Sequence, residues 1–251
     1  MNELPTPSSG AAWFFDFDGT LVPIAPSPDR VAPPAGLSSL LSRLQSLDVA
    51  LVVVTGRPLA EIDAYLAPLQ LPCAGVHGVE RRDANGRLHC VQRPDLTEAV
   101  SAIQALCHRE PSLRCEVKPG AVALHFRQAP QLQPLCEETM ADVAAVSPGM
   151  VVLRGKMVLE LKPAIADKGR AVRAFLEEPL FQQRRPWYFG DDVTDEAAFQ
   201  AVQDLGGVAV KIGDGETAAM HRLSGPEAVR AWLGDAVTLL EHRHAIGSEA
   251  H

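Results

Sequence analysis

The sequence predicts an α/β fold: a Rossmann-like, doubly wound parallel-sheet core interrupted by an inserted α+β domain of αββαββ pattern. Three observations predict it. Short apolar runs alternate with segments of helical periodicity through residues 12–76 and again through 168–241, and strand–helix alternation is the mark of a parallel sheet. The run 49–54, Val-Ala-Leu-Val-Val-Val, is continuously apolar and rich in β-branched residues, as strands buried on both faces are. Residues 95–161 then read as helix, hairpin, helix, hairpin, a pattern foreign to βαβ crossovers. The α/β pattern resumes afterwards, so the block is inserted rather than appended. The expected division is a core of residues 1–92 and 163–251 and a cap of residues 93–162.

In chain order, residues 1–11 form a Pro- and Ser-rich lead-in without the basic and apolar regions of a secretory signal. Strand 12–16 is an apolar aromatic run that stops at Asp16-Phe17-Asp18-Gly19-Thr20. A Pro-rich loop (23–34) leads to an amphipathic helix over 36–47, where Leu37, Leu40, Leu41, Leu44 and Leu47 share a face. Strand 49–54 ends in Thr55-Gly56-Arg57-Pro58, and Pro58 suits the first turn of helix 58–67. Strand 71–76 ends at His77 between glycines, and Asn85-Gly86 signals a hairpin. In the inserted block, helices span 95–109 and 131–146. Strands 114–118 and 121–127 join at Pro119-Gly120, and strands 151–153 and 156–161 at Arg154-Gly155. Helix 168–178, strand 187–189, helix 195–204, a last strand 207–210 and helix 226–241 close the core; residues 243–251 read as a frayed polar tail.

The formal net charge is −8 and no Lys/Arg block appears, which argues against a nucleic-acid partner. No stretch reaches membrane-spanning length. The five scattered cysteines contain no C-x-x-C, a poor disulfide or zinc framework, so the expected compartment is the reducing cytoplasm.

The chemistry concentrates where the strands end. In an open α/β sheet, carboxyl ends of strands share one edge, and ligands bind there. Asp16/Asp18, Thr55, His77 and Asp191/Asp195 all fall at such ends. Two carboxylates ~4 Å apart repel by about 4 kcal/mol at an effective dielectric of 20. Either a hard cation offsets that, or one carboxyl holds a proton. Both suit phosphoryl transfer, in which Asp can act as nucleophile. A phosphate monoester brings about two further negative charges. The balance then requires a divalent ion and Lys168, which sits at a helix start, where a cation is electrostatically disfavoured. The Thr55 hydroxyl lies beside free helix N–H groups, a good phosphate contact. Each feature also has a plain structural reading: a strand-ending turn for Asp16-Phe17-Asp18, a helix cap for Thr55, a surface lysine for Lys168. Their coincidence at one edge is what favours function.

Asp16-Phe17-Asp18-Gly19-Thr20, Thr55-Gly56-Arg57, Lys168 and Gly190-Asp191-Asp192-Val193-Thr194-Asp195-Glu196 resemble, in order, the four motifs of the haloacid-dehalogenase superfamily. The insert resembles its C2B type of cap. Gly75-Val76-His77-Gly78-Val79-Glu80-Arg81, Val122-Ala123-Leu124-His125-Phe126-Arg127 and Gly155-Lys156…Glu160…Pro163 further resemble the trehalose-6-phosphate phosphatases. Phe126 stands where tyrosine is common, and Thr55 where serine is common. The resemblance implies hydrolysis of trehalose 6-phosphate in trehalose biosynthesis. Asp16 is the implied nucleophile and Asp18 the acid–base; Thr55 and Lys168 hold the phosphate. Mg²⁺ is implied on Asp16, the Asp18 backbone carbonyl and Asp191, with Asp195 orienting the metal shell or Lys168. Gly56, Arg57, His77 and Glu80 on the core, and Lys118, His125, Lys156 and Glu160 on the cap, are the implied substrate contacts. A functional link to a trehalose-6-phosphate synthase is implied as well. Two other readings stay open: a cap-bearing phosphatase for another sugar phosphate, and a catalytically silent sugar-phosphate-binding module.

Overall fold

The computed structural model describes residues 3–92 and 94–249; the expectations touching residues 1–2, the domain border at Arg93 and His251 lie outside the described residues. β1 (Ala11–Phe15) is buried along its whole length. After it come α1 (Leu37–Ser46), β2 (Ala50–Val54), α2 (Leu59–Leu66) and β3 (Cys73–Gly75). Next are the antiparallel partners β4 (Glu80–Arg82) and β5 (Leu88–Cys90), joined across Asn85-Gly86. The inserted block comprises α3 (Thr97–Arg109), β6 (Arg114–Lys118), β7 (Ala121–His125), α4 (Gln133–Ala145), β8 (Met150–Gly155) and β9 (Val158–Pro163). The core resumes with α5 (Lys168–Leu176), β10 (Arg185–Gly190), α6 (Glu196–Asp204), β11 (Val208–Ile212), β12 (His221–Leu223) and α7 (Pro226–Glu249).

The core sheet has eight strands in the order β12-β11-β10-β1-β2-β3-β4-β5. Pairing is parallel from β12 to β3 and antiparallel beyond. The chain winds outward from β1 twice, early through β2 and β3 and late through β10 to β12. β1 is therefore the switch point, where the crevice for a ligand opens. Alternation along β1 supplies both faces. Trp13 and Phe15 join Leu37, Leu41 and Leu44 of α1 and Val229 and Leu233 of α7. Phe14 joins Phe175 of α5 and Phe199 of α6. The Trp13 and Trp232 rings lie 4.9 Å apart, and Phe15 stacks on Phe189 at 4.8 Å. Each such burial stabilises by roughly 1.5–3 kcal/mol, and this double-sided grip holds the end of β1 still.

The cap is an antiparallel four-stranded sheet, β6-β7-β9-β8, with α3 and α4 packed on one face through Ile103, Leu106, Cys136 and Met140. No helix among the described residues is long and apolar enough to cross a membrane.

Three local expectations differ from the structure. The second cap hairpin turns at Lys156-Met157, not at Arg154-Gly155: β8 runs through Gly155, and Met157 takes the left-handed φ of 63°. β12 lies beyond the strand expected to be last; its three residues are half-buried at an edge and carry too little apolar pattern to read. α7 continues to Glu249, so the stretch read as a frayed tail is helical as far as that residue, with His242 and His244 exposed.

Candidate active site

β1 ends at Phe15, and the next residue, Asp16, is buried where the sheet opens. Phe17 turns into the apolar core and stacks on Tyr65 of α2 at 5.5 Å. That anchor separates the two carboxylates, Asp16 inward and Asp18 towards α2. Asp191 follows β10, the parallel neighbour of β1, and comes close to the Asp18-Gly19 turn. A Cβ on Gly19 would stand 2.3 Å from Asp191 Oδ2, and Gly19 has φ +81°. Only glycine allows both that backbone and that approach.

Asp16, Asp191 and Asp195 each present an oxygen within 4.8 Å of the others, and all three are buried. Lys168, itself buried, donates to Asp195 Oδ1 at 2.7 Å and pairs with Asp16 Oδ1 at 2.9 Å. It opens α5, whose cap is Asp167, accepting from Arg170 N–H at 2.8 Å. Burial raises the Asp16 pKa well above the usual carboxylate range; Lys168 works against that rise, and Asp195 and Asp191 add to it. Burial works against the charge on Lys168, but Asp16 and Asp195 outweigh it and hold the ammonium above its ordinary range. Lys168 thus bridges two of the three crowded carboxylates, and Asp16, Asp191 and Asp195 together offer hard oxygen donors of the kind a divalent cation such as Mg²⁺ takes. Asp18 was expected to offer the metal its backbone carbonyl; its carboxylate is turned away to Arg57. Asp195 already accepts three hydrogen bonds: besides Lys168, Tyr188 Oη–H donates to Oδ1 at 2.7 Å and Asp192 N–H to Oδ2 at 3.0 Å. Lys211 donates to the Asp191 carbonyl.

Thr55 follows β2. Its Oγ1 accepts from Arg57 N–H at 3.2 Å, which leaves the hydroxyl proton to donate towards the cavity. Arg57 grips Asp18 with both arms, Nε to Oδ2 at 2.6 Å and Nη2 to Oδ1 at 3.0 Å. Its third nitrogen meets Glu61 at 2.6 Å and Tyr65 at 3.3 Å. Glu61 and Tyr65 lie four apart on one face of α2 and hold Arg57, which precedes the helix and in turn meets Asp18. Burial opposes the guanidinium charge, but Asp18 and Glu61 hold its pKa above the ordinary value. Arg57, expected to meet substrate, lines the cavity and holds Asp18 there.

Across a cavity of about 650 Å³ stands the cap. Lys118 Nζ donates to Glu160 at 2.6 Å and to the Gly56 carbonyl at 3.0 Å. His125 pairs with Glu116 at 2.6 Å. Lys156, in the β8–β9 turn, reaches Asp191 Oδ2 at 2.7 Å. His77 is buried in a left-handed conformation, φ 55°, with Nε2 3.7 Å from Glu160 Oε1. Burial, then Lys168, Lys118 and Lys162, push its pKa well below 6.5, so the ring is neutral. Asp16, Asp18, Thr55, Gly56, Arg57, His77, Lys118, His125, Lys156, Glu160, Lys168 and Asp191 all line this cavity. Glu80 does not. Its Oε1 accepts from Leu59 N–H at 2.6 Å and closes the first turn of α2, so a direct sugar contact does not fit its position. Glu116 lines the cavity and was missed, although the period-two spacing of Arg114, Glu116 and Lys118 along β6 puts them on one face. Tyr188 was also missed, because nothing in an apolar strand marks it as polar-partnered; Lys211 was missed although a lone lysine inside the buried apolar run of β11 is such a mark.

A parallel sheet with its acids at the switch point, roofed by an inserted antiparallel sheet, defines a haloacid-dehalogenase-type hydrolase with a cap. The family model for trehalose-phosphatase matches residues 14–225. The chain is 41% identical over 246 residues to the trehalose-6-phosphate phosphatase of Escherichia coli (strain K12), covering 97% of this chain and 92% of that one. It is 32% identical to the bifunctional trehalose-6-phosphate synthase/phosphatase of Thermoproteus tenax, covering 87% of this chain and 30% of that protein. The solved C-terminal domain of the C. albicans trehalose-6-phosphate phosphatase superposes with a TM-score of 0.82 over 91% of this chain and 93% of that one, at 22% identity. The chain belongs to the trehalose-phosphatase family.

Proposed function

We propose that this chain hydrolyses trehalose 6-phosphate to trehalose and phosphate through an aspartyl-phosphate on Asp16, as a step in making trehalose. The observation that carries the reading is one cavity with two unlike walls: Lys168-bridged carboxylates below, and the charged pairs Lys118–Glu160 and His125–Glu116 above.

Asp16 attacks phosphorus while Thr55 and Lys168 hold phosphate oxygens. Asp18 enters the first step protonated, with one oxygen freed from Arg57; it gives that proton to the leaving sugar oxygen, then takes one from the water that releases phosphate. Arg57 sets the direction of that carboxylate. Mg²⁺, held by Asp16, Asp191 and the Asp18 backbone carbonyl, would supply positive charge to the phosphoryl oxygens. Asp195 fixes Lys168. His77, Lys118, His125, Lys156 and Glu160, joined by Glu116, face the sugar rings. Unpaired partners there reject sugars that lack the matching hydroxyls. Residues 93–162 act as a closing cap that excludes bulk water. The bifunctional relative supports a functional link to a trehalose-6-phosphate synthase.

The test is phosphate release from a panel of sugar phosphates, with and without Mg²⁺. Trehalose 6-phosphate is expected to be turned over in preference to glucose 6-phosphate, with activity abolished by chelation and by Asp16→Asn. Equal turnover of the two sugars would count against the substrate, and full activity in Asp16→Asn against the mechanism.

A further inference from the structure

We infer that Tyr188 is a positioning residue for the hydrolysis proposed above: acting through Asp195, its hydroxyl fixes Lys168 against Asp16. The inference rests on that functional reading.

Side chains alternate along β10. Trp187 and Phe189 pack with Trp13 and Trp232 on one face, and Tyr188 lies on the other, edge-on to Phe199 at 5.7 Å. Packing alone would be served as well by phenylalanine. A fully buried phenol needs a partner, and Tyr188 donates to Asp195 Oδ1 at 2.7 Å. Asp195, also fully buried, then holds three donors: Tyr188 and Lys168 on Oδ1, and the Asp192 N–H on Oδ2. A carboxylate has about four acceptor sites, so it cannot turn without dropping a donor. Gly190 makes the approach feasible, because a Cβ there would stand 2.3 Å from Asp195 Cγ. Lys168 shares its ammonium between Asp195 at 2.7 Å and Asp16 at 2.9 Å. The order is Tyr188, Asp195, Lys168, Asp16, and Tyr188 does not line the cavity. It acts only through the residues that do.

Tyr188→Phe removes the hydroxyl and keeps the ring. With Mg²⁺ and trehalose 6-phosphate, kcat is expected to fall about 10- to 100-fold, as for other supporting hydrogen-bond partners. KM should change less than kcat, since Lys168 keeps its charge near the phosphate and only its alignment with Asp16 is loosened. In an Asp195→Asn background the same substitution should change kcat less than about threefold, because the intermediary is already altered. An unchanged kcat, a rise in KM alone, or equal losses in both backgrounds would each overturn the inference. A second readout needs no variant of Tyr188. The tyrosines of the chain are two, Tyr65 and Tyr188, so ring-¹³C-labelled protein gives two hydroxyl-carbon signals, assigned with Tyr65→Phe. Beryllofluoride with Mg²⁺, mimicking phosphoryl on Asp16, should move the Tyr188 signal; an unmoved signal refutes the relay. If the wild type releases no phosphate from trehalose 6-phosphate, the functional reading fails. An active wild type matched by Tyr188→Phe sinks this inference alone.

Discussion

Replacing Arg57 with lysine should separate acid positioning from phosphate binding. Lysine keeps a positive charge but loses the planar fork that meets both oxygens of Asp18 at 2.6 and 3.0 Å. It also loses the brace to Glu61 and Tyr65 that keeps the guanidinium in place. Hydrogen bonds to a charged group contribute about 1.5–3 kcal/mol, and we take that as the whole loss, because the Asp18 side chain is 33% exposed and solvent screens part of the pair. At about 1.4 kcal/mol per tenfold, kcat/KM for trehalose 6-phosphate should fall roughly 10- to 150-fold. The quantity to measure is kcat/KM, which reports the steps through departure of the sugar and leaves out the later attack of water. Against p-nitrophenyl phosphate, whose leaving group departs without a proton, the loss should stay under about threefold, since general acid assistance contributes little there. Equal losses on both substrates would put Arg57 on the phosphate instead, and no loss on either would refute the positioning argument.

Other consequences follow from the same geometry. Lys118→Met leaves Glu160 buried without its ammonium; the side chains are 9% and 5% exposed, so the urea midpoint should drop by the equivalent of about 3–5 kcal/mol and KM should rise. Much of the stability should return in Lys118→Met/Glu160→Met, and a single variant as stable as wild type would contradict the burial argument. Glu80→Ala removes the acceptor for Leu59 N–H and should cost about 0.5–2 kcal/mol of stability, the range for a lost helix cap, with KM unchanged; a KM effect without a stability loss would restore a sugar-contact role. His77 has a folded pKa well below 6.5 because of burial and three nearby lysines. The unfolded chain therefore binds more protons than the folded one below pH 6.5, and stability falls as pH drops from there towards the lowered folded value. His77→Asn, which tolerates the left-handed backbone, should remove up to about 1.4 kcal/mol of that loss per pH unit. Urea melts at pH 6.5 and 5.5 compare the two proteins, and the buried carboxylates cancel in the comparison. Identical slopes would mean that His77 does not titrate as its surroundings dictate.

The acids of the candidate site were legible because local pattern and one topological rule suffice to gather them. Apolar runs that stop at Asp16, Thr55, His77 and Asp191 read as strand ends, and a parallel sheet brings such ends to one edge whatever lies between them. The inserted cap was legible for the same kind of reason, since two hairpins cannot be crossovers. The β8–β9 turn was displaced because Met157 adopts a left-handed φ that no glycine announces, and β12 is too short and mixed to carry a period.

Partner choice was not legible. Asp18 and Arg57, Asp195 and Tyr188, and Glu80 and Leu59 N–H meet because separate elements pack at particular distances. Sequence periodicity says which side of an element a residue faces, but not which atom of another element it will touch. The sequence by itself determined the sheet, the insertion and the set of acids and lysine at the switch point. Only the tertiary structure decided which carboxylate is braced by Arg57, which accepts from Lys168 and Tyr188, and which closes a helix, because those assignments depend on how separate elements pack against one another across the whole core.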